Sequence, residues 1–230
     1  RFPEIEHIYL VVRPKPSKGL DSEARFWKDV VPNGTLDPLR EKYPGPAFED
    51  FIRSKITPIP GDVSEPFAGI PDAVRDEIRG KVDALVNAAG VVDFNPPLDY
   101  ALNVNAFGMQ SLIALCKDLG DIRFFHTSTC YVAGDRTGQI YEVPPRDYPF
   151  PKAEKLDRKH WDPEREIAES IDMVENVRHR SNDAFRESHF LDQARQNLIE
   201  KGEPARGSAL EDELSRVKRD YEKKLLIEAG

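Results

Sequence analysis

The chain has 230 residues, 39% of them apolar and 32% charged, which is length enough for one sizeable α/β domain with an elaboration. A net charge of −8 excludes non-specific nucleic-acid binding, which needs clustered positive charge to displace counterions from phosphates. Two cysteines without a CxxC or His-rich companion, and no apolar run near the roughly 20 residues of a membrane span, exclude a disulfide framework, a zinc site and a spanning helix, and suit a reducing, cytoplasmic setting.

Residues 8–12, Ile-Tyr-Leu-Val-Val, are a short and nearly continuous apolar run, the pattern of a strand buried on both faces of a parallel sheet; it ends at Arg13-Pro14. A polar, Pro-rich stretch follows. Within it Phe26, Trp27, Val30 and Val31 recur at helical spacing and predict a helix over 22–31, with another over 47–53. Residues 55–60 read as a strand that Pro58 and Pro60 confine to a sheet edge or a strand end before Gly61-Asp62 turns the chain. Next come a helix over 72–79, a buried strand over 82–87 closing in Ala88-Ala89-Gly90, and an amphipathic helix over 100–119 that Gly120 ends. A strand over 122–127 opens into Ser128-Thr129. This alternation predicts a doubly wound parallel sheet.

After Gly134 the character changes. Residues 143–151 are rich in proline, and the remainder is strongly charged with two long helical patterns. In the first, Ile167, Ile171, Val174 and Val177 form a stripe that Phe185, Leu191, Ala194 and Leu198 continue until Gly202 and Pro204. The second opens with Ser208 and Glu211 in capping-box spacing and carries Leu210, Leu214, Val217, Tyr221 and Leu225 on one side. Residues 1–150 therefore read as the sheet domain and 151–230 as a helical hairpin whose charge is a solvated face.

In a doubly wound sheet ligands bind at the carboxyl ends of the strands, so the residues there carry the candidate chemistry. Arg13 suits an adenosine ribose bearing a 2′-phosphate, because a guanidinium meets that dianion with paired hydrogen bonds; an arginine there also serves simply as a solvated loop residue. Asp62 and Val63 close one turn, where the carboxylate can hydrogen-bond an adenine. Asn87, Ala88, Ala89 and Gly90 close the next, small enough to let a dinucleotide approach the backbone. Thr127 and Thr129 share a face at the last strand's end, where a hydroxyl can polarise a carbonyl, although strand ends also favour threonine for itself. Cys130 is open to two readings, a thioester nucleophile or a small buried hydrophobe. Five scattered histidines, with no HExxH and no GxSxG, support neither metal chemistry nor hydrolysis.

Residues 2–14 as a second strand, 59–66 as a third-strand signature, 86–94 as a fourth-strand motif, the helix around Asn105-Ala106-Phe107-Gly108 and the strand 125–132 together resemble the extended short-chain dehydrogenase/reductases. Within them they are similar to the branch of fatty acyl-CoA reductases, male-sterility proteins and thioester-reductase domains, and the likeness covers residues 1 to about 135. The resemblance implies a Rossmann-like, NADPH-binding core and reduction of a fatty acyl-CoA or carrier-bound thioester to an aldehyde or on to the alcohol. It makes Thr129 the hydroxyl of a Ser/Thr-Tyr-Lys set, Asn105 a helix asparagine close to the cofactor, and Arg13, Asp62, Val63, the 87–90 turn and Thr127 the cofactor contacts. Nucleotide-sugar epimerases or dehydratases of the same superfamily, and a non-catalytic NADP-binding sensor or scaffold, stand as the alternatives. Two departures bear on this. No Gly-rich phosphate loop occurs, so a first βα unit of roughly 30 residues is expected before Arg1. Tyr148 and Lys152 have the Tyr-x-x-x-Lys spacing, but Pro149 and Pro151 forbid a helix there, so the true motif is expected beyond Gly230.

Overall fold

The computed structural model describes residues 4–129, 132, 137–144 and 162–230; Cys130, Tyr148 and Lys152 lie outside them. Strand β1 (Ile8–Val12) pairs in parallel with β2 (Ile56–Pro60), and β3 (Ala84–Asn87) with β4 (Arg123–His126). Helices α1 (Ser22–Arg25), α2 (Asp37–Lys42) and α3 (Pro46–Lys55) connect β1 to β2, and α4 (Asp72–Ile78) connects β2 to β3. Helices α5 (Leu98–Ala101) and α6 (Gly108–Asp118) lie between β3 and β4, and α7 (Pro163–Ser181), α8 (Ala184–Glu200) and α9 (Gly207–Ala229) follow. This is the α/β alternation read from the sequence, realised as two short parallel pairs. The chain forms two compact units, residues 1–89 with 103–127, and residues 90–102 with 128–230.

In the first unit, alternation along β1 sends side chains to two cores. Leu10 and Val12 pack with Ile56 against Phe26, Val31, Phe48 and Ile52. Tyr9 and Ile59 join the opposite cluster, built on Ala68, Ile70, Ile78, Leu112, Leu115 and Leu119, and Leu85 and Phe124 of the second pair join it as well. A single apolar cluster thus underlies both strand pairs, but Ile8 and Val11 remain 43% and 37% exposed, so β1 is not the strand buried on both faces that its apolar run predicts. On the other face of the second pair, Val86 and Phe125 stand in register and remain 72% and 53% exposed. Among the described residues β2 has β1 as its one ladder partner, the edge position that Pro58 and Pro60 require.

Two helices differ from the regular form expected. The segment 22–31 begins as α1, capped by Asp21 accepting from the Ala24 amide at 2.8 Å, and widens into a π-helical turn over Phe26–Val30. The segment 100–119 likewise passes through a π-helical turn, Leu102–Phe107, in which Val104 is buried while Asn103 and Asn105 are exposed. Gly120, at φ +107, follows α6 and donates to the Lys117 carbonyl, as a C-terminal glycine should.

In the second unit the first long pattern divides. Asp183 accepts from the Phe185 amide at 3.0 Å and starts α8 afresh, which leaves Phe185 in the first turn, 93% exposed and outside the stripe expected of it. Ser208 is not a cap either: α9 begins at Gly207 with Arg206 in the cap position and no side-chain cap. Ile171 of the stripe is 38% exposed as well, and two clusters form, Val174, Val177 and Leu226 with Leu98, Leu102 and Leu225, and Phe190, Ala194 and Val217 with Leu210, Leu214 and Tyr221. No helix among the described residues is long and apolar enough to cross a membrane.

The buried carboxylate of Glu213 accepts from Arg216, from Asn197 at 2.8 Å and from Lys201 at 3.0 Å. The Arg216 bonds, then that from Asn197, outweigh burial and lower its pKa to about 2. A carboxylate lowered in the folded state stabilises above its unfolded pKa and loses that contribution as pH falls through the folded value. Stability of the α8–α9 pair should therefore fall from about pH 4.5 to about pH 2, and Glu213→Gln should flatten that limb in urea titrations across this range; an unchanged acid limb contradicts the role given to Glu213.

Candidate functional site

Parallel pairing places the residues after β1 and β2 side by side. Val12 is level with Pro60, so Arg13 and the Gly61-Asp62 turn emerge together. The exposed Arg13 guanidinium lies 3.5 Å from Asp62 Oδ2 through one nitrogen, and its carbonyl accepts from the Arg25 guanidinium. Lys15 and Arg25 stand at the same strand end, each paired with Asp29, at 2.8 and 3.6 Å. Buried Ser22 donates to the Val12 carbonyl at 2.6 Å and fixes where β1 stops.

The 61–70 turn is built tightly around Asp62. Its Oδ1 accepts from the Ser64 amide at 3.0 Å and the Ser64 hydroxyl at 2.8 Å, while its own amide donates to the Ala68 carbonyl at 2.7 Å. Burial works to raise the Asp62 pKa, but the Ser64 bonds and Arg13 outweigh it and hold the carboxyl below its usual value. Ser111 of α6 accepts from the Ala68 amide at 3.0 Å and donates to the Glu65 carbonyl at 2.5 Å, tying the turn to the helix. Close approach is possible only because of two glycines. A Cβ on Gly61 would stand 2.5 Å from the Ala68 carbonyl oxygen and 2.7 Å from Val11 Cγ1; one on Gly108 would stand 3.0 Å from the Val63 carbonyl oxygen.

At the end of β3, Asn87 is 4% exposed and organises the second turn. Its Oδ1 accepts from the Ala89 amide at 3.0 Å, and its Nδ2 lies 3.1 Å from His126 Nδ1, with Met109 Sδ at 3.5 Å. The Thr127 amide donates to the Asn87 carbonyl at 2.8 Å, extending the ladder one step past β4. Ala88, Ala89 and Thr127 are exposed.

The structure thus gathers Arg13 with Asp62 and Val63 at one strand pair, and Asn87, Ala88, Ala89 and Thr127 at the other. Asn105 stands on the π-helical turn leading into α6, a form found often at functional sites. Gly90 and Thr129 belong to the second unit, where both are exposed. Sequence reading passed over Ser64, Ser111 and His126. The Asp-x-Ser spacing signals the first, since such aspartates cap their own turn; Ser111 and His126 act across 46 and 39 residues and carry no local signal.

The family of NAD-binding domains described as male sterility protein matches residues 1–182. Among curated relatives, the chloroplastic fatty acyl-CoA reductase 2 of Arabidopsis thaliana is 29% identical over 62% of this chain and 23% of its own length. The alcohol-forming fatty acyl-CoA reductase of Simmondsia chinensis is 26% identical over 62% of this chain and 29% of its own length. The fatty acyl-CoA reductase 1 of Gallus gallus is 28% identical over 69% and 29%. The chain therefore spans less than a third of the length of these relatives. A looser likeness, TM-score 0.43 at 19% identity over 63% of this chain and 32% of the other, is to the terminal R domain from the myxalamid PKS-NRPS biosynthetic pathway.

Gly61→Ala should lower the urea midpoint of the protein by the equivalent of about 1–3 kcal/mol, since the new methyl meets backbone that cannot swing away. A midpoint equal to that of the parent would show that the 61–70 turn does not need this approach.

Proposed function

The chain belongs to the male sterility protein family of NAD-binding domains, and on that premise we propose that the protein carrying it reduces a fatty acyl thioester, CoA-bound or carrier-bound, with NADPH. The single observation that carries the reading is the run of fatty acyl-CoA reductases among the relatives, from plants and a bird. The strand-end chemistry agrees with it. We assign residues 1–150 to the NADP-binding core and 151–230 to a helical insertion, with the cytoplasm as the proposed setting; one relative is named as chloroplastic.

The donor set fits the adenosine half of NADPH. Arg13 spends one nitrogen on Asp62, and its remaining N–H donors suit a 2′-phosphate beside the positive charge of Lys15 and Arg25. Asp62, ionised and fixed by Ser64, accepts from an adenine amino group, and the Val63 backbone lines the same turn. Ala88, Ala89 and Gly90 offer backbone with little side chain in the way. Asn105 and Thr127 complete the cofactor contacts of the proposal. The cradle for the diphosphate is the Gly-rich loop of the family, a pattern this sequence does not contain.

Bound NADPH supplies the hydride. Thr129 donates a hydrogen bond to the thioester oxygen, which gathers negative charge as the carbonyl carbon becomes tetrahedral, and a donor aimed there lowers the barrier more than it stabilises the substrate.

NADPH consumption by the complete protein, offered a long-chain acyl-CoA and separately a nucleotide sugar, tests the reading. Turnover should require the acyl-CoA, and Thr129→Ala should reduce it about 100-fold. Turnover with the nucleotide sugar alone, or NADPH binding without turnover of either, overturns it. Arg13→Ala should weaken NADPH about 10-fold or more while leaving NADH affinity unchanged; equal losses for both cofactors contradict the 2′-phosphate role.

A further inference from the structure

His126 falls outside the set of residues to which the proposed reaction gives a role, yet it is joined to Asn87, a buried polar side chain at the strand ends. Asn87 has its amide orientation decided by the backbone. The Ala89 N–H needs an acceptor and finds one at 3.0 Å, so that atom is Oδ1 and the other is Nδ2. The Nδ2 group then donates to His126 Nδ1 at 3.1 Å, and the ring nitrogen facing it must be the bare acceptor. The imidazole therefore carries its proton on Nε2. The ring is held in this plane by its place above Phe124, parallel within 12° at 6.1 Å, on the same strand face.

We propose that His126 is a positioning residue for the cofactor turn: by accepting from Asn87 through Nδ1, it locks the amide whose Oδ1 holds the Ala89 N–H, and so fixes the backbone at Ala88 and Ala89. The lever is long in sequence and short in space, since β3 and β4 pair in register with Asn87 level with His126. Without the acceptor, Nδ2 keeps among the described residues the Ala89 carbonyl at 3.4 Å and the Met109 sulfur at 3.5 Å, both poor partners, and the buried amide is free to rotate and release the Ala89 N–H. The inference rests on the reading that the 87–90 turn receives the dinucleotide, but the turn's own order can be measured without any ligand.

The test uses three variants in the complete protein. His126→Asn carries an amide oxygen where Nδ1 stood, His126→Gln reaches instead to the position of Nε2, and His126→Phe keeps the ring without either nitrogen. Amide hydrogen exchange at Ala89 and the NADPH dissociation constant are read for each. Exchange should quicken about tenfold in His126→Phe and His126→Gln and stay within about twofold of the parent in His126→Asn, with the NADPH constant weakening in the same order. Should His126→Phe fail to fold, the Asn and Gln pair decides, because the two differ in which nitrogen they replace and not in polarity. A Gln variant like the parent beside a defective Asn variant overturns the proposal in favour of a role for Nε2. Equal behaviour of the Asn and Gln variants overturns it, and so does faster exchange with no loss of NADPH affinity. If the parent binds no NADPH, the functional reading fails, and the exchange of Ala89 still decides whether His126 orders the turn.

Discussion

Parallel strands that pair in register must begin their exit loops at the same level, and the rest of the first unit depends on that constraint. Val12 beside Pro60 and Asn87 beside His126 mean that Arg13 meets Asp62, and Asn87 meets His126 and Thr127. The pairing is sustained by one apolar cluster shared between the two pairs, with Tyr9 and Ile59 contributed by one and Leu85 and Phe124 by the other. Helices α4 and α6 supply the opposing wall through Ile78, Leu112 and Leu115, with Leu119 just past the end of α6. Two-stranded sheets are marginal in water, so it is this common core that lets such short strands hold their register.

The turn around Asp62 shows what that scaffold is made to hold. Phe67 and Ala68 adopt left-handed backbone at φ 51 and 55, a conformation that costs non-glycine residues about 1–3 kcal/mol each. The surroundings over-determine it: Asp62 and Ser111 take both polar groups of Ala68, Gly61 and Gly108 allow backbone to pass close by, and the Ala68 side chain is fully buried. Strain of this kind persists where a loop must present chosen groups in a fixed arrangement. Here the group presented is an ionised carboxylate, with the Arg13 guanidinium of the neighbouring strand end beside it.

Much of this was legible in the sequence for identifiable reasons. β1 reads as a strand because Tyr9 on one face and Leu10 and Val12 on the other enter apolar clusters, and Pro58 and Pro60 announce an edge because an imino nitrogen has no hydrogen to give a ladder. Gly120 ends a helix because the position after it requires positive φ. What escaped was either a change of winding or a contact across the fold. Apolar spacing around Val104 or Phe26 is the same to the eye whether the turn is α or π-helical. Read from the sequence, the stripe from Val174 to Leu198 runs through Phe185, and the break before it shows in the Asp183 side chain that caps α8. At the candidate site, the small residues at 88–90 and the charged ones at 13 and 62 announce themselves by type and place, whereas the hold of Ser111 on Ala68 and of His126 on Asn87 exists only once the strands and α6 are assembled.

The central claim is that these strand ends form the seat of a nicotinamide dinucleotide, and amide hydrogen exchange of the complete protein with and without NADPH tests it most directly. Slower exchange at residues 62–64, 88–90 and 127 on adding NADPH is the predicted result. Unchanged exchange at those positions under saturating cofactor, with protection confined to α7, α8 and α9, would contradict it.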